Sequence, residues 1–340
     1  VIFLTGASGV VGRAIAAQLG PHRVLGLIHS DVDVREVEKT VLGDVSQPRL
    51  GLASARWNRL AAETDVIVHS AALTEWGQPW ERYEAANIGG TYQVIELAER
   101  ACAPVFFIST CFVHALERGC EADVAADNVV KPYIRSKLRA EQLLAESAVP
   151  YSIFRPTNLV GDSRTGASHR PQIVQAMSDW ICRGKAPYFP VHPGNRVDVV
   201  PLDILAIAVS HAVESRDVGQ VYWVTYGSNA MTPQDALEIL VDHAAAHGRE
   251  IERAPLIDPR GPLPVSLEQV SPRSRSFLKV LIDVSEVTHA CGGVLPSSMP
   301  LLQERFGVSV PSDADAYRRS LEFWAADRAR ARVAIGQSQS

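Results

Sequence analysis

The fold is decided at the start of the chain, by Val1-Ile2-Phe3-Leu4-Thr5-Gly6-Ala7-Ser8-Gly9-Val10-Val11-Gly12. The first five residues, mostly apolar and β-branched, read as a buried strand. Beyond the glycines, Val11, Ile15 and Leu19 fall on one helical face. Between strand and helix lies a turn of spacing G-x-x-G-x-x-G. Gly6 permits a tight turn, Gly9 lets another group approach the backbone, and Gly12 allows close contact between helix and strand. A strand, a glycine turn and an amphipathic helix in this order open a parallel sheet with crossover helices.

Outward from this unit the same alternation continues. Apolar strand candidates lie at 23–28, 66–70, 105–109 and 151–155, and a helix is expected over 133–147, after Pro132. On that helix Lys137 and Glu141 are spaced to pair along one side. Past 155 the rhythm changes. Pro, Gly and polar residues thicken around 161–171 and 187–194, and a helix is expected over 201–214 and a strand over 221–225. Thr232 reads as an N-cap, with Pro233 at the first helical position of a helix to about 246. Residues 258–272 read as loop, and the tail from 312 to about 333 has helical spacing through Tyr317, Leu321 and Trp324. The expected class is α/β, a Rossmann-like doubly wound parallel sheet with a smaller C-terminal substrate-binding region. The expected division is 1–162 for the nucleotide-binding part, 163–335 for a region whose later segments partly return to the sheet, and 336–340 for a disordered tail.

Bulk composition excludes several classes. The 340 residues are 46% hydrophobic and 21% charged with a net charge of −5, which gives no reason to expect nucleic acid or an anionic membrane as partner. No apolar run approaches the ~18 residues of a membrane span, and the opening residues read as a strand rather than a signal peptide. A first residue of Val leaves open that the sequence is part of a longer protein. Cys102, Cys111, Cys120, Cys182 and Cys291 form no C-x-x-C pair, so they read as reduced thiols of a cytoplasmic protein, with no metal site.

The free N–H groups at the start of the first helix favour a phosphate, so Gly6, Ser8, Gly9, Val10, Val11 and Gly12 are the candidate pyrophosphate cradle of a dinucleotide. A lone glycine triplet is also what an ordinary turn shows; the strand before and the helix after favour the nucleotide. About 20 residues on, where NAD-preferring sites carry an acid, the chain has Ile28-His29-Ser30. His29, Ser30 and Arg13 suit a 2′-phosphate, which favours NADP(H). A register slip that brought Asp31 or Asp33 to the ribose would favour NAD instead.

Tyr133-Ile134-Arg135-Ser136-Lys137 sets a phenol and an ammonium four residues apart on one helical face. A neighbouring cation is expected to lower the phenol's pKa and fit it for proton transfer. Eight Tyr and only five Lys give such a pair by chance with an expectation of about 0.1, so the spacing alone proves little. Context adds to it. Val105-Phe106-Phe107-Ile108-Ser109-Thr110 is a strand ending in two hydroxyls one crossover earlier, and strand C-termini face the ligand crevice of such sheets. Alternation directs only one of Ser109 and Thr110 into the crevice, without saying which.

Taken together, residues 5–12, Gly43-Asp44, His69-Ser70-Ala71-Ala72, Asn87-Ile88-Gly89-Gly90-Thr91, Ser109-Thr110, Tyr133 with Lys137, and Arg155-Pro156 resemble the extended short-chain dehydrogenases/reductases. Three phrases resemble one branch, the thioester reductases of carboxylic acid reductases and of nonribosomal peptide or polyketide assembly lines, with related acyl-CoA reductases. They are Gly43-Asp44-Val45-Ser46-Gln47-Pro48-Arg49-Leu50-Gly51-Leu52, residues 160–166 and residues 198–203. The resemblance covers about 1–214. It implies a catalytic trio of Thr110, Tyr133 and Lys137, favouring Thr110 over Ser109. It also implies that Asp44 meets the adenine, that Ala71 and Ala72 pass the cofactor, that Asn87 supports the active-site helix or a proton relay, and that Lys137, Arg155 and Pro156 lie at the cofactor. Two departures stand out: the segment after His29 is short, and His69-Ser70 replaces the branch's usual His-Asn or His-Cys.

The implied activity is NADPH-dependent reduction of an acyl thioester, on a carrier protein or coenzyme A, to an aldehyde and on to an alcohol if a second hydride follows. The alternatives are a ketone, sterol or sugar-nucleotide enzyme on the same scaffold, or a non-catalytic NADPH sensor, which the presence of both Tyr133 and Lys137 disfavours. Around the trio, His114 reads more simply as a loop histidine than as a pocket residue. Trp76, Trp80 and Phe112 suit either an acyl pocket or half-buried packing. Cys111 has no evident base to make it a nucleophile. Tyr188, Phe189 and His192 lie in a Pro-rich loop that is a candidate substrate cover, and the loops 161–170 and 187–196 are candidates for a pantetheine arm.

Overall fold

The computed structural model describes residues 1–117, 119 and 124–337. Cys120 and residues 338–340 of the expected tail lie outside them. In chain order the strands are β1 (Ile2–Thr5), β2 (Val24–Ile28), β3 (Lys39–Leu42), β4 (Val66–His69), β5 (Val105–Ile108), β6 (Tyr151–Pro156), β7 (Asn158–Val160), β8 (Phe189–Pro190), β9 (Val199–Pro201), β10 (Val221–Val224) and β11 (Leu256–Ile257). The helices are α1 (Val10–Leu19), α2 (Ser54–Glu63), α3 (Trp80–Tyr83), α4 (Gly90–Ala101), α5 (His114–Glu117), α6 (Lys131–Glu146), α7 (Ile173–Ile181), α8 (Leu202–Ser215), α9 (Pro233–Ala246), α10 (Pro272–Ala290), α11 (Met299–Phe306) and α12 (Asp313–Gln337).

Two compact units result. The first comprises Val1–Thr157, Asp203–Val224 and Ser297–Val308. Its sheet has the order β10-β6-β5-β4-β1-β2-β3, and every pairing in it is parallel. This is the Rossmann order 3-2-1-4-5-6 with a further parallel strand at one edge. β1, β4 and β5 are buried along their whole length, as continuous apolar runs covered on both faces must be. Phe3, Ile67 and Phe107 meet Trp57 of α2, Leu97 of α4 and Leu144 of α6 in one core. Each such side chain contributes roughly 1.5–3 kcal/mol by leaving water. The order reverses between β1 and β4, which lie side by side with Thr5 opposite His69. At that point the carboxyl ends of the strands open a crevice.

The second unit comprises Asn158–Leu202, Thr225–Pro296 and Ser309–Ser340. Two short parallel pairs, β7 with β9 and β8 with β11, lie among α7, α9, α10 and α12. Trp180, Tyr188, Leu240, Leu278, Tyr317 and Leu321 fill its core. Thr232 caps α9 as its sequence suggests, in a reciprocal box with Asp235. Tyr317, Leu321 and Trp324 are all buried, so this face of α12 packs onto its own unit. Residues 258–272 are mostly loop, as expected, with a short 3-10 turn at Leu267–Gln269, and Ser271 caps the nineteen-residue α10. Tyr188, Phe189 and His192 are buried. Residues 336 and 337 close α12. Among the described residues no helix is long and apolar enough to cross a membrane.

Candidate active site

The glycine turn sits at the crevice. Gly6 has φ +69, and a Cβ there would stand 2.7 Å from the Ala71 nitrogen, so the turn and the 70–72 segment touch backbone to backbone. A Cβ on Gly12 would fall 2.1 Å from the Gly6 carbonyl oxygen. Helix α1 starts from Gly9 with no side-chain cap and no acid in its first turn. Its leading N–H groups and positive dipole end therefore suit a phosphate, and the residues present fit a dinucleotide.

At the end of β2, His29 and Ser30 are exposed. Arg13 is buried and already engaged: Nη1 meets Glu36 at 2.8 Å, Nη2 donates to the Asp33 carbonyl at 2.6 Å, and Nε donates to the Ser8 carbonyl at 3.3 Å. The Asp33 carboxylate meets Arg35 at 3.3 Å. Asp44 follows β3 and accepts from the Ser46 amide and hydroxyl at 2.9 and 2.8 Å. The phrase 43–52 closes as a tight turn in which Arg49, Leu50 and Gly51 all have positive φ, and Gly43 is required because a Cβ would stand 2.5 Å from the Leu50 oxygen.

A buried polar chain joins these pieces, and the residues in it were visible in sequence only as parts of motifs. Thr5 Oγ1 accepts from the amides of Ser70 and Ala71 at 3.2 and 3.1 Å and lies 2.7 Å from His69 Nδ1. Burial, and then the charge of Lys137, lower the His69 pKa to about 3, so the ring is neutral. Thr5 then donates to Nδ1, and Nε2–H donates to Thr91 Oγ1 at 3.2 Å. Thr91 in turn donates to the Asn87 carbonyl at 2.7 Å.

Asn87 lies in a π-helical turn, Glu84–Gly89. Its Oδ1 accepts from the Leu73 amide at 2.7 Å, and its Nδ2 donates to the Leu73 carbonyl at 3.1 Å and to Ser136 Oγ at 2.8 Å. Ser136 donates to the Tyr133 carbonyl at 2.7 Å. The side chain of Asn87 thus fastens the 70–73 segment to helix α6.

Helix α6 carries Tyr133 and Lys137, both buried. The two hydroxyls ending β5 part company: Ser109 donates to Glu141, whereas Thr110 caps the following 3-10 turn, with its hydroxyl near enough to Tyr133 to influence the phenol. Lys137 Nζ donates to the Ile108 carbonyl at 2.7 Å and lies 4.1 Å from the Phe107 ring centre. The expected Lys137–Glu141 ion pair does not form. Glu141 instead receives Arg155, whose guanidinium also grips Glu117 through Nη1 at 2.8 Å and rests on Trp223. Arg155, expected at the cofactor, has its guanidinium nitrogens occupied by these two carboxylates; Pro156 ends β6 beside it.

The electrostatics also depart from expectation. Burial is the largest influence on Tyr133 and pushes its phenol well above the ordinary range, outweighing the nearby Thr110 hydroxyl, which favours phenolate. Lys137 does not lower it here, because the ammonium is turned to Ile108 and is itself desolvated: burial brings Lys137 down to about 7, against the Glu141 carboxylate. The pair is therefore a protonated phenol beside an amine close to half-protonation at neutral pH, suited to giving a proton to an oxygen that gains charge.

Of the other candidates, Phe112 is buried, Trp76 is half-buried, and Trp80 is exposed with Arg135 over its ring. His114 packs edge-on against Trp223. Residues 161–166 form a closed turn in which Asp162 Oδ1 accepts from Arg164 and Thr165. Gly166 lies so close to α12 that a Cβ would reach 2.0 Å from the Arg319 oxygen.

A family profile described as male sterility protein, with an NAD-binding fold, matches residues 23–209. A linear gramicidin synthase of Brevibacillus parabrevis is 32% identical over 184 residues, 50% of this chain and 4% of that protein. Glycine betaine reductase ATRR of Emericella nidulans is 30% identical over 190 residues, 52% of this chain and 15% of that protein. The chain thus spans a small fraction of the length of these relatives. Among solved structures, the terminal R domain from the myxalamid PKS-NRPS biosynthetic pathway superposes with a TM-score of 0.74 at 25% identity, covering 96% of this chain and 90% of that one.

Proposed function

The chain belongs to the NAD-binding male sterility protein family of extended short-chain dehydrogenases/reductases and is a nicotinamide-dependent oxidoreductase, and on that premise we propose that it reduces an acyl thioester to an aldehyde with NADPH. The observation that carries the reading is the buried Tyr133 phenol beside the buried Thr110 hydroxyl, with Lys137 one turn further along α6. The thioester assignment draws on the likeness to a terminal reductase domain and to assembly-line proteins. A carrier-bound acyl group is the substrate class that fits both.

The cofactor would be held by Gly6, Ser8, Gly9, Val10, Val11 and Gly12 at its pyrophosphate, by Asp44 near the adenine, and along Ala71 and Ala72. His29 and Ser30 would meet a 2′-phosphate. NADPH is favoured because His29 and Ser30 stand exposed at the end of β2 and two of the nearby acids, Asp33 and Glu36, already face Arg35 and Arg13. Once bound, the reduced nicotinamide supplies the hydride. Thr110 and Tyr133 hold the thioester oxygen, and Tyr133 gives it a proton as negative charge develops. Lys137 would turn from the Ile108 carbonyl to steady the phenolate left behind. The resulting hemithioacetal loses its thiol, and thioester, hydride and proton are converted to aldehyde and free thiol. Asn87 keeps α6 and the 70–73 segment in register throughout.

The test is NADPH consumption with a medium-chain acyl-CoA and with an acyl-pantetheine, read together with free thiol and trapped aldehyde. Thioester-dependent oxidation releasing one thiol per NADPH is expected. Turnover of an aldehyde or ketone with no reaction of either thioester would overturn the proposal and move the chain to the general carbonyl reductases. NADH as efficient as NADPH would overturn the cofactor preference alone.

A further inference from the structure

We propose that the second unit carries a transition-metal site made by His243, His247 and Glu322. His243 lies in the last turn of α9 and His247 is its C-cap residue, so the two imidazoles share one helical face. Helix α12 packs against α9 and brings Glu322 between them. The carboxylate reaches both rings: Oε1 lies 2.9 Å from His243 Nδ1, and Oε2 lies 3.7 Å from His247 Nε2. One ligand atom from each of the three residues falls within 4.8 Å of the other two. Ligands about 2.0–2.1 Å from a tetrahedral zinc ion stand roughly 3.3 Å apart, and the two carboxylate distances bracket that spacing.

The orientation of the His247 ring supplies a second argument. Its Nδ1 lies 2.9 Å from the carbonyl oxygen of His243, which can only accept, so Nδ1 carries the proton. Nε2, the ring's other nitrogen, faces the Glu322 carboxylate at 3.7 Å, so a cation set between them would be held by both. A backbone carbonyl holding the far N–H is also how metal-bound histidines are commonly fixed.

Two imidazoles and one carboxylate select zinc, cobalt, nickel or copper over magnesium or calcium. His247 and Glu322 are open to solvent, so water can complete the sphere. The charge of Arg328, felt at His243 and anchored on Asp179, works against a bound cation and points to a site of modest affinity. Occupancy would clamp the end of α9 to α12.

The experiment uses the full, tag-free chain stripped with chelator and titrated with Co2+, followed by its visible ligand-field absorption, with Zn2+ then added to displace it. One saturable equivalent is expected, lost to Zn2+, together with a rise in thermal midpoint. His247→Gln and Glu322→Gln should each weaken binding at least tenfold and abolish that rise, while His22→Gln, at an exposed histidine elsewhere, leaves both unchanged. Both test side chains are solvent-facing, so either variant can report if the other folds poorly. Absence of a saturable equivalent in the parent protein would overturn the site. So would parent-like affinity in both variants, which would make the cluster a protonated histidine–glutamate pair.

Discussion

Asn87 Nδ2 and Ser136 Oγ are joined by a 2.8 Å hydrogen bond, the link in the Asn87 clasp that reaches the catalytic helix. The remaining two bonds hold both backbone groups of Leu73. Asn87→Ala leaves these partly buried groups without their partner, a loss of about 1–3 kcal/mol in unfolding experiments. Asn87→Asp separates positioning from stability, because a carboxylate still accepts from Leu73 but cannot donate to Ser136. If Asn87 positions α6, the Asp variant shows kcat lowered tenfold or more with KM little changed. A kcat equal to the parent's in Asn87→Asp would reduce the residue to a structural role.

Tyr133→Phe tests the proton donor. The ring stays in its buried slot, so cofactor binding, followed by quenching of intrinsic fluorescence on adding NADPH, should stay within about twofold. Loss of the donated proton should lower the single-turnover rate of NADPH oxidation by about 10²–10⁴. Full activity in this variant would assign the proton to another group.

Gly12 is a packing requirement with a measurable consequence. The atom facing its missing Cβ is the backbone oxygen of Gly6, at 2.1 Å, so Gly12→Ala cannot be absorbed by a rotamer change. Helix α1 must shift away from the turn at a cost of about 1–3 kcal/mol, and the N–H groups of the phosphate cradle shift with it. Thermal melts with and without NADPH should show a lowered midpoint and a reduced ligand-induced rise. A variant that kept the full rise would uncouple the glycine spacing from nucleotide binding.

The sheet was legible because its strands are continuous apolar runs, and the return of 221–224 to it was read from the same signal. β3 escaped notice because Lys39-Thr40-Val41-Leu42 is an exposed edge with one buried position. The catalytic helix was legible from Tyr133 and Lys137, but their environment was not. Side-chain spacing at i, i+4 predicts that Lys137 meets Glu141, yet Glu141 is taken by Arg155 from β6 and Ser109 from β5, partners set by the fold rather than by local sequence. The ammonium is left to a carbonyl, and the sign of the Tyr133 shift follows burial rather than charge. The second unit was least legible. Its strands are two or three residues long, and its core is assembled from segments as far apart as Trp180 and Leu321.

Lys137 makes the stability of the cofactor-free protein depend on pH in a defined direction. Its folded value, about 7, lies below the ordinary 10.5 of the unfolded chain. Between these values the unfolded chain holds a proton that the folded chain has released, so stability from this group rises with pH. The buried ammonium is destabilising in full below about pH 7, and the penalty is removed as pH climbs towards 10. Lys137→Met has no such group, and other titrations cancel in the comparison. Urea unfolding at pH 7 and pH 9 should show the parent gaining about 2 kcal/mol on the Met variant. A difference that stays constant between the two pH values would mean that Lys137 keeps its proton when buried, with the Ile108 carbonyl and Phe107 ring replacing its lost hydration.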